Sequence, residues 1–337
     1  MMLIFGVSSG LKDWKERREQ PESTEELPES TQEPEPTTAP EASSEEATSE
    51  EETLPPSTEE PAESQPVISE AERLLRDLLA EDGRVPEEIP GEQLIVVAAK
   101  GTGSNMYFFE KDGDSWQFAL RDIVEEKGSN HAVTGFVGRE GVGSACEGHA
   151  ITPAGLYALG PCFAKDALPG MKTEFFKITE NHHWVGDDRS QWYNKLVIVT
   201  EDGTWTPDPL DTFEPAAVIR PEERDWEGEE HLIDYFPNYE FCVLMQYNYE
   251  PALPGMGSCF FLHVKYEPTG GCVAAGREVM EQVMYWLDGT KNPQICIYDA
   301  LAETPESSEA VPGDETSEAA AEDSQPDVTE STADLPQ

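Results

Sequence analysis

The stretch Ser258-Cys-Phe-Phe-Leu-His263-Val-Lys-Tyr-Glu-Pro-Thr-Gly270-Gly271-Cys272-Val273 decides how this chain is read. An apolar, aromatic-rich run of the kind that forms a buried strand ends on a histidine. A short polar loop follows, and a Thr-Gly-Gly-Cys turn then leads into a helical pattern. A free thiol titrates near about 8.5, so only a few per cent of it is thiolate at neutral pH. An imidazolium within hydrogen-bond reach pulls that value below about 7, a gain bounded at roughly thirty-fold. Glycines ahead of the cysteine let backbone N–H groups approach a tetrahedral oxyanion, where one donor is worth about 10²–10³-fold. Cys272 is therefore a candidate nucleophile and His263 its base, with Gly270 and Gly271 as the oxyanion-side backbone. On these residues alone, a cysteine after two glycines with a histidine nine positions earlier also fits a turn arising by chance.

Working outward, the flanking sequence is a series of short apolar runs. Strands are predicted over 94–99, 106–110, 116–120, 133–137, 175–178, 196–200, 241–247, 258–264 and 294–298. Asp112-Gly113 between the second and third marks a tight hairpin. Only two helices stand out. One opens at the capping pattern Ser69…Glu72, carries Ala71, Leu74, Leu75, Leu78 and Leu79 on one face, and closes at Gly83. The other runs from Arg277 to Asp288, with Met280, Val283, Met284 and Leu287 on one face and Gly289 closing it. Many short strands with few helices predict a mainly β fold, a β-sandwich or irregular barrel. Residues 90–301 form one such domain, 67–89 a short helical lead-in.

The ends read differently. Residues 21–66 hold 15 Glu and no Lys, Arg or Asp, and 302–337 hold 11 acidic residues and no basic one. Segments this poor in apolar residues cannot offset their ordering entropy, so 1–66 and 302–337 are expected to be disordered, flanking the core as acidic tails. Residues 21–66 and 302–337 together carry −26 of the formal charge of −47. No Lys/Arg cluster offers the counterion release that nucleic-acid binding needs, and the acidity opposes charge-driven binding to anionic polymers. The opening residues, MMLIFGVSSGLKDWKERREQ, match neither a signal peptide nor a membrane span; a remnant of an export segment and a meaningless leader both fit. A monomer without an integral membrane domain is expected.

Six cysteines lie without a CxxC pair, which argues against a zinc ribbon or a thioredoxin-like site. Cys242, Cys259 and Cys296 sit in strand-like runs and read as small buried hydrophobes. The pairing of Cys146 and Cys162 is left open. His182 and His183 with Asp187 and Asp188 offer ligand atoms, but no second cluster completes a metal site. Neither a metal nor a cofactor is expected.

The quoted stretch resembles the catalytic motif of the L,D-transpeptidase catalytic-domain family (the YkuD-like fold). Within it, the match is to the branch running glycine-serine-small-apolar-leucine-histidine and then threonine-small-glycine-cysteine-valine. Glu147-Gly148 with Thr152-Pro153-Ala154-Gly155 resembles that branch's Glu-Gly-Asp-Gly-x-Thr-Pro-Ala-Gly element. Trp184-Val185-Gly186-Asp187-Asp188 with Tyr193-Asn194 resembles its Trp-Val-Asp-Asp…Tyr-Asn element, and Glu230-His231-Leu232 followed by Tyr247-Asn248 resembles its approach to the catalytic strand. These elements keep their order over about 200 residues.

The resemblance implies Cys272 as nucleophile and His263 as acid/base. The carbonyl of Gly271, or a neighbouring backbone carbonyl, would orient the imidazole. Asn248, one strand before His263, is a candidate substrate contact. The implied substrates are peptidoglycan stem peptides, attacked before a terminal D-alanine, the acyl-enzyme passing to an amine or to water. Such substrates imply the cell envelope or the extracellular space. The commoner Ser-His-Gly-Cys motif with a following Arg is absent, which leaves the donor-carboxylate contact unassigned, and His149 stands where the branch has Asp. Two alternatives differ in class. In a wall-hydrolase-type cysteine peptidase the cysteine precedes the histidine, the reverse of the order here. A catalytically silent wall-binding module is the other, marked by loss of Cys272 or His263, and both are present.

Overall fold

A computed structural model describes residues 68–302; residues 1–67 and 303–337, which hold the acidic segments expected to be disordered, lie outside the described residues. Helix α1 (Glu70–Glu81) begins where Ser69 Oγ accepts the Glu72 N–H at 3.0 Å, and its buried side chains are Ala71, Leu75, Leu78 and Leu79. The chain then forms β1 (Gln93–Lys100), β2 (Gly103–Asp112) and β3 (Ser115–Phe118). Asp112 pairs with Ser115 across the tight turn, where Gly113 takes a φ of 60°. A helix not expected from the sequence follows, α2 (Arg121–Lys127). It buries only Ile123 and Val124, too few apolar positions to show a helical period.

Next come β4 (Val133–Phe136), the short pair β5 (Val142–Gly143) and β6 (Thr152–Pro153), and the long strand β7 (Gly155–Ala164). An excursion contributes β8 (Phe175–Lys177), β9 (His182–Val185), β10 (Leu196–Val199), β11 (Ala217–Ile219) and β12 (Glu229–His231). The chain returns through β13 (Phe241–Met245), β14 (Phe261–Val264), β15 (Val273–Ala275), α3 (Arg277–Trp286) and β16 (Gln294–Asp299).

Eight strands close on themselves in the order β1-β16-β7-β13-β14-β15-β4-β2, with β1 and β2 pairing antiparallel to seal the barrel. Of the two forms expected, the barrel is therefore the one adopted, and closure removes the exposed edges an open sheet would leave. Its interior is filled by Ile95, Val97, Met106, Val243, Leu262 and Val273 among others, with α3 burying Met280, Val283 and Met284 against the same cluster. Helix α1 covers one outer face over Leu94, Val96 and Cys296. The excursion sheet, ordered β11-β10-β9-β12, covers another. Between it and the barrel lies a second core of Phe163, Phe176, Trp184, Leu196, Leu244 and Phe261. Alternation along β14 sends Leu262 and Val264 into the barrel and Phe261 and His263 toward this layer.

All six cysteines are free. Cys162 is wholly buried in the barrel interior, so no Cys146–Cys162 disulfide forms. No helix among the described residues is long and apolar enough to cross a membrane.

Candidate active site

Cys272 is delivered by an unusual connection. Strands β14 and β15 are parallel neighbours, with Leu262 beside Val273 and His263 beside Ala274, yet only residues 265–272 join them. The loop manages this by swinging over the end of β4, where Thr269 N–H donates to Val137 O and Arg139 N–H donates to Thr269 O, both at 3.0 Å. It then turns back through Gly270 and Gly271 and sets Cys272 level with Phe261. The Cys272 thiol donates to Cys259 O and accepts the Phe261 N–H, each at 3.4 Å. The sequence reading had the cysteine turn running straight into a helix; β15 intervenes, and its three residues were too few to register as a strand.

The turn is locked by hydroxyls. Thr269 Oγ1 donates to Cys272 O at 2.5 Å and accepts the Gly271 N–H at 3.1 Å. Thr152, from the Thr-Pro-Ala-Gly element, donates to the same Cys272 carbonyl and accepts the Gly138 N–H at 2.7 Å. Gly271 has a φ of 140°, and a Cβ there would stand 2.8 Å from the Phe260 ring. With its N–H taken by Thr269, Gly271 is not free to donate to an oxyanion, a correction to the expected pair. The amides of Gly270 and Cys272 make no hydrogen bond among the described residues and are the available donors.

Cys272 and His263, 7% and 4% exposed, open on one cavity of about 550 Å³. The thiol and imidazole are not hydrogen-bonded to one another in this structure. His263 Nδ1 lies 3.1 Å from Val264 O, so it carries the proton and Nε2 keeps the lone pair. That carbonyl, not the one of Gly271, orients the ring. Burial pushes the Cys272 thiol up to about 12, with the Glu230 charge adding to the effect, and holds His263 down at about 4. The resting pair is thus neutral, not the thiolate–imidazolium pair expected from the sequence.

Three acidic groups line the cavity, Glu140 at its rim and Glu147 and Glu230 further in. Glu147 accepts hydrogen bonds from the Tyr193 hydroxyl and from Ser258 Oγ, which ties two of the resembling elements to the segment leading into the His263 strand. Glu230 pairs with Trp184 in the β12–β9 register and so projects on the barrel side, where it accepts the Tyr239 hydroxyl. Tyr239 packs edge-on against His263 with ring centroids 5.2 Å apart. Tyr239 was not singled out from sequence, and Glu230 was noted only as part of a motif. Their proximity arises from the excursion folding back, and no spacing encodes it. Arg139 and Lys265 supply the positive charge of the lining. Arg139 makes no salt bridge among the described residues, whereas Lys265 reaches Glu267 at 3.4 Å.

Asn248 does not face the cavity. Its Nδ2 donates to Leu253 O and Gly257 O, and its Oδ1 accepts the Leu253 N–H, so the side chain is spent on closing the 248–257 loop. Asn194 acts similarly, accepting from Trp184 Nε1 and Cys259 N–H at 3.0 Å each. Asp187 is held by Arg189 and by the Glu227 N–H. His149 pairs with Glu140 at 3.0 Å at the cavity rim. Among the described residues no group of His, Cys, Asp and Glu is arranged to hold a metal ion.

Fold and site together define an eight-stranded barrel with a thiol and an imidazole on one cavity, which Gly270 also lines. No protein-family model, curated protein or solved structure matches the chain.

Proposed function

We propose that this chain is a thiol acyltransferase of the L,D-transpeptidase type, acting on peptidoglycan stem peptides through a Cys272 acyl-enzyme. The observation that carries the reading is the convergence of Cys272, His263 and Gly270 on one cavity, with the Gly270 and Cys272 amides unpartnered among the described residues, in segments that resemble that family. In the reaction, the sulfur attacks the carbonyl carbon preceding a terminal D-alanine. His263 Nε2 takes the thiol proton, and the tetrahedral oxyanion is stabilised by the Gly270 and Cys272 N–H groups. The C–N bond then breaks and the leaving amine takes a proton from the imidazolium. An amine of a second stem, or water, attacks the thioester, giving a cross-link or a trimmed stem. Arg139, the unpaired cation of the lining, supplies the contact for the donor's carboxylate. The substrate places the protein at the cell envelope.

The test is incubation of the full chain with a disaccharide-tetrapeptide, followed by mass spectrometry. Loss of the terminal residue, or a cross-linked dimer, is expected and must vanish in Cys272→Ala. Unchanged substrate from a folded protein would favour a silent wall-binding module.

A further inference from the structure

A second opening, larger than the catalytic cavity, lies where the excursion meets the barrel. Its main part, about 730 Å³, sits between the start of β10 and the residues that follow β13, and a smaller part of about 300 Å³ adjoins it. Gln191, Lys195 and Glu250 line both parts, so the two form one groove. Tyr193 lines the smaller part, and its hydroxyl donates to Glu147, which lines the catalytic cavity. The acyl-transfer chemistry above makes no use of this groove.

Three half-buried rings, Trp192, Phe213 and Tyr249, line the main part. Phe213 is backed by Phe176 and Tyr249 by Trp184, with centroids 5.8 and 6.2 Å apart, so both rings are anchored on the buried layer. The polar lining is rich in acceptors. Gln191 spends its Nε2 on Asp225 at 3.2 Å and Gln246 spends its own on Gly160 O at 2.8 Å. Neither amide oxygen has a partner among the described residues. The exposed carboxylates of Glu174 and Glu214 likewise make no salt bridge there. A ligand that satisfies this lining must bring hydrogen-bond donors and an apolar face together.

Charge decides between the donors. Lys195, common to both parts, places its Nζ 3.0 Å from Glu250 and 5.8 Å from the centre of the Tyr249 ring. A cationic ligand would meet this ammonium over the ring it would itself use. An anionic one would meet Glu174 and Glu214. Uncharged hydroxyls are the donors that remain. A pyranose carries them around its edge and offers a face of C–H groups that packs flat on an aromatic ring.

We propose that this groove binds a neutral oligosaccharide, stacked on Trp192 and Tyr249 and giving its hydroxyl protons to the free oxygens of Gln191, Gln246, Glu174 and Glu214. On the acyl-transfer reading, such a glycan is the strand that carries the stem peptide. The groove itself does not depend on that reading.

Isothermal titration calorimetry of the full chain tests this without any turnover, so its failure is distinct from failure of the acyl-transfer chemistry. The probes are chitohexaose and cellohexaose, with tetralysine and a heparin tetrasaccharide as charged comparisons. At least one neutral glycan should bind saturably and neither charged probe should. Trp192→Ala should weaken that binding at least tenfold. Its ring also packs against Val197 and Trp226, so the double variant Glu174→Ala/Glu214→Ala, at exposed positions, provides a test that folding does not confound. It should weaken binding about tenfold. Silence with both neutral glycans, stronger binding of tetralysine or heparin, or glycan binding unchanged in the double variant overturns the proposal.

Discussion

Thr152 and Cys272, 120 positions apart, are joined by a hydrogen bond from the threonine hydroxyl to the cysteine carbonyl at 3.3 Å. The bond fastens the β6 segment beneath the nucleophile's turn. Because Thr152 also accepts the Gly138 N–H, the one hydroxyl couples the cysteine turn to the end of β4. The turn that carries the unpartnered Gly270 and Cys272 amides is held by this frame.

The two glycines of the turn should respond differently to alanine. At Gly271 the φ of 140° and the Phe260 ring leave no room for a methyl group. Gly271→Ala should therefore cost about 1–3 kcal/mol and most of the activity. At Gly270 nothing lies within 4 Å of an added Cβ. Gly270→Ala should melt like wild type. Urea denaturation of both variants checks the contrast, and equal losses would contradict it.

Glu230 makes stability depend on pH in a predictable direction. Its folded value, about 7, lies above the ordinary 4.5. The stabilisation linked to its protonated form is present below 4.5 and is lost as pH rises through 7. Glu230→Gln cannot ionise, so relative to wild type it should gain up to about 3 kcal/mol between pH 4.5 and 8. A stability difference that stays flat over that range would place the carboxylate in water.

Trimming the chain tests where the domain begins. Removal of residues 1–66 and 302–337 should change the melting temperature little. Extending the cut to residue 89 removes α1, whose Leu75, Leu78 and Leu79 are buried against the barrel. Each such leucine is worth about 2 kcal/mol, so the longer cut should unfold the domain or lower its melting temperature sharply. Calorimetry of the two truncations decides it.

The cysteines divide by role. Cys272→Ala should abolish turnover of a stem peptide and His263→Ala should lower it by orders of magnitude, the losses not adding because the pair acts as one unit. Cys242→Ala and Cys259→Ala, both buried in the layer beside the site, should act through stability alone, by about 1 kcal/mol each. Normal folding with lost chemistry in Cys242→Ala would show that the wrong thiol has been singled out.

Legibility in the sequence followed the physics of each element. The capped amphipathic helix at 70–81, the Gly113 hairpin and the strand ending on His263 carry strong local signals, and they were found. Strand β7 was missed because Gly160-Pro161 reads as a break, whereas in the barrel it falls beside an irregularity in the β13 pairing. At the site, Cys272 and His263 stand out through the two glycines before the cysteine and the strand that carries the histidine. Asn248 was misread, since proximity in sequence to a catalytic strand says nothing about which way a side chain in a positive-φ turn points. Tyr239 and Glu230 meet only because β12 and the turn before β13 pack on one layer, a contact no local pattern encodes.

The most direct measurement is intact-protein mass spectrometry after exposure to a carbapenem. A strained β-lactam needs only a thiol, a proton acceptor and oxyanion donors, all of which gather around Cys272, and it needs no acceptor stem. The account predicts one adduct on the wild type, mapped to Cys272, and none on Cys272→Ala. A folded wild-type protein that stays unmodified, or one labelled at the half-exposed Cys146 instead, would contradict it.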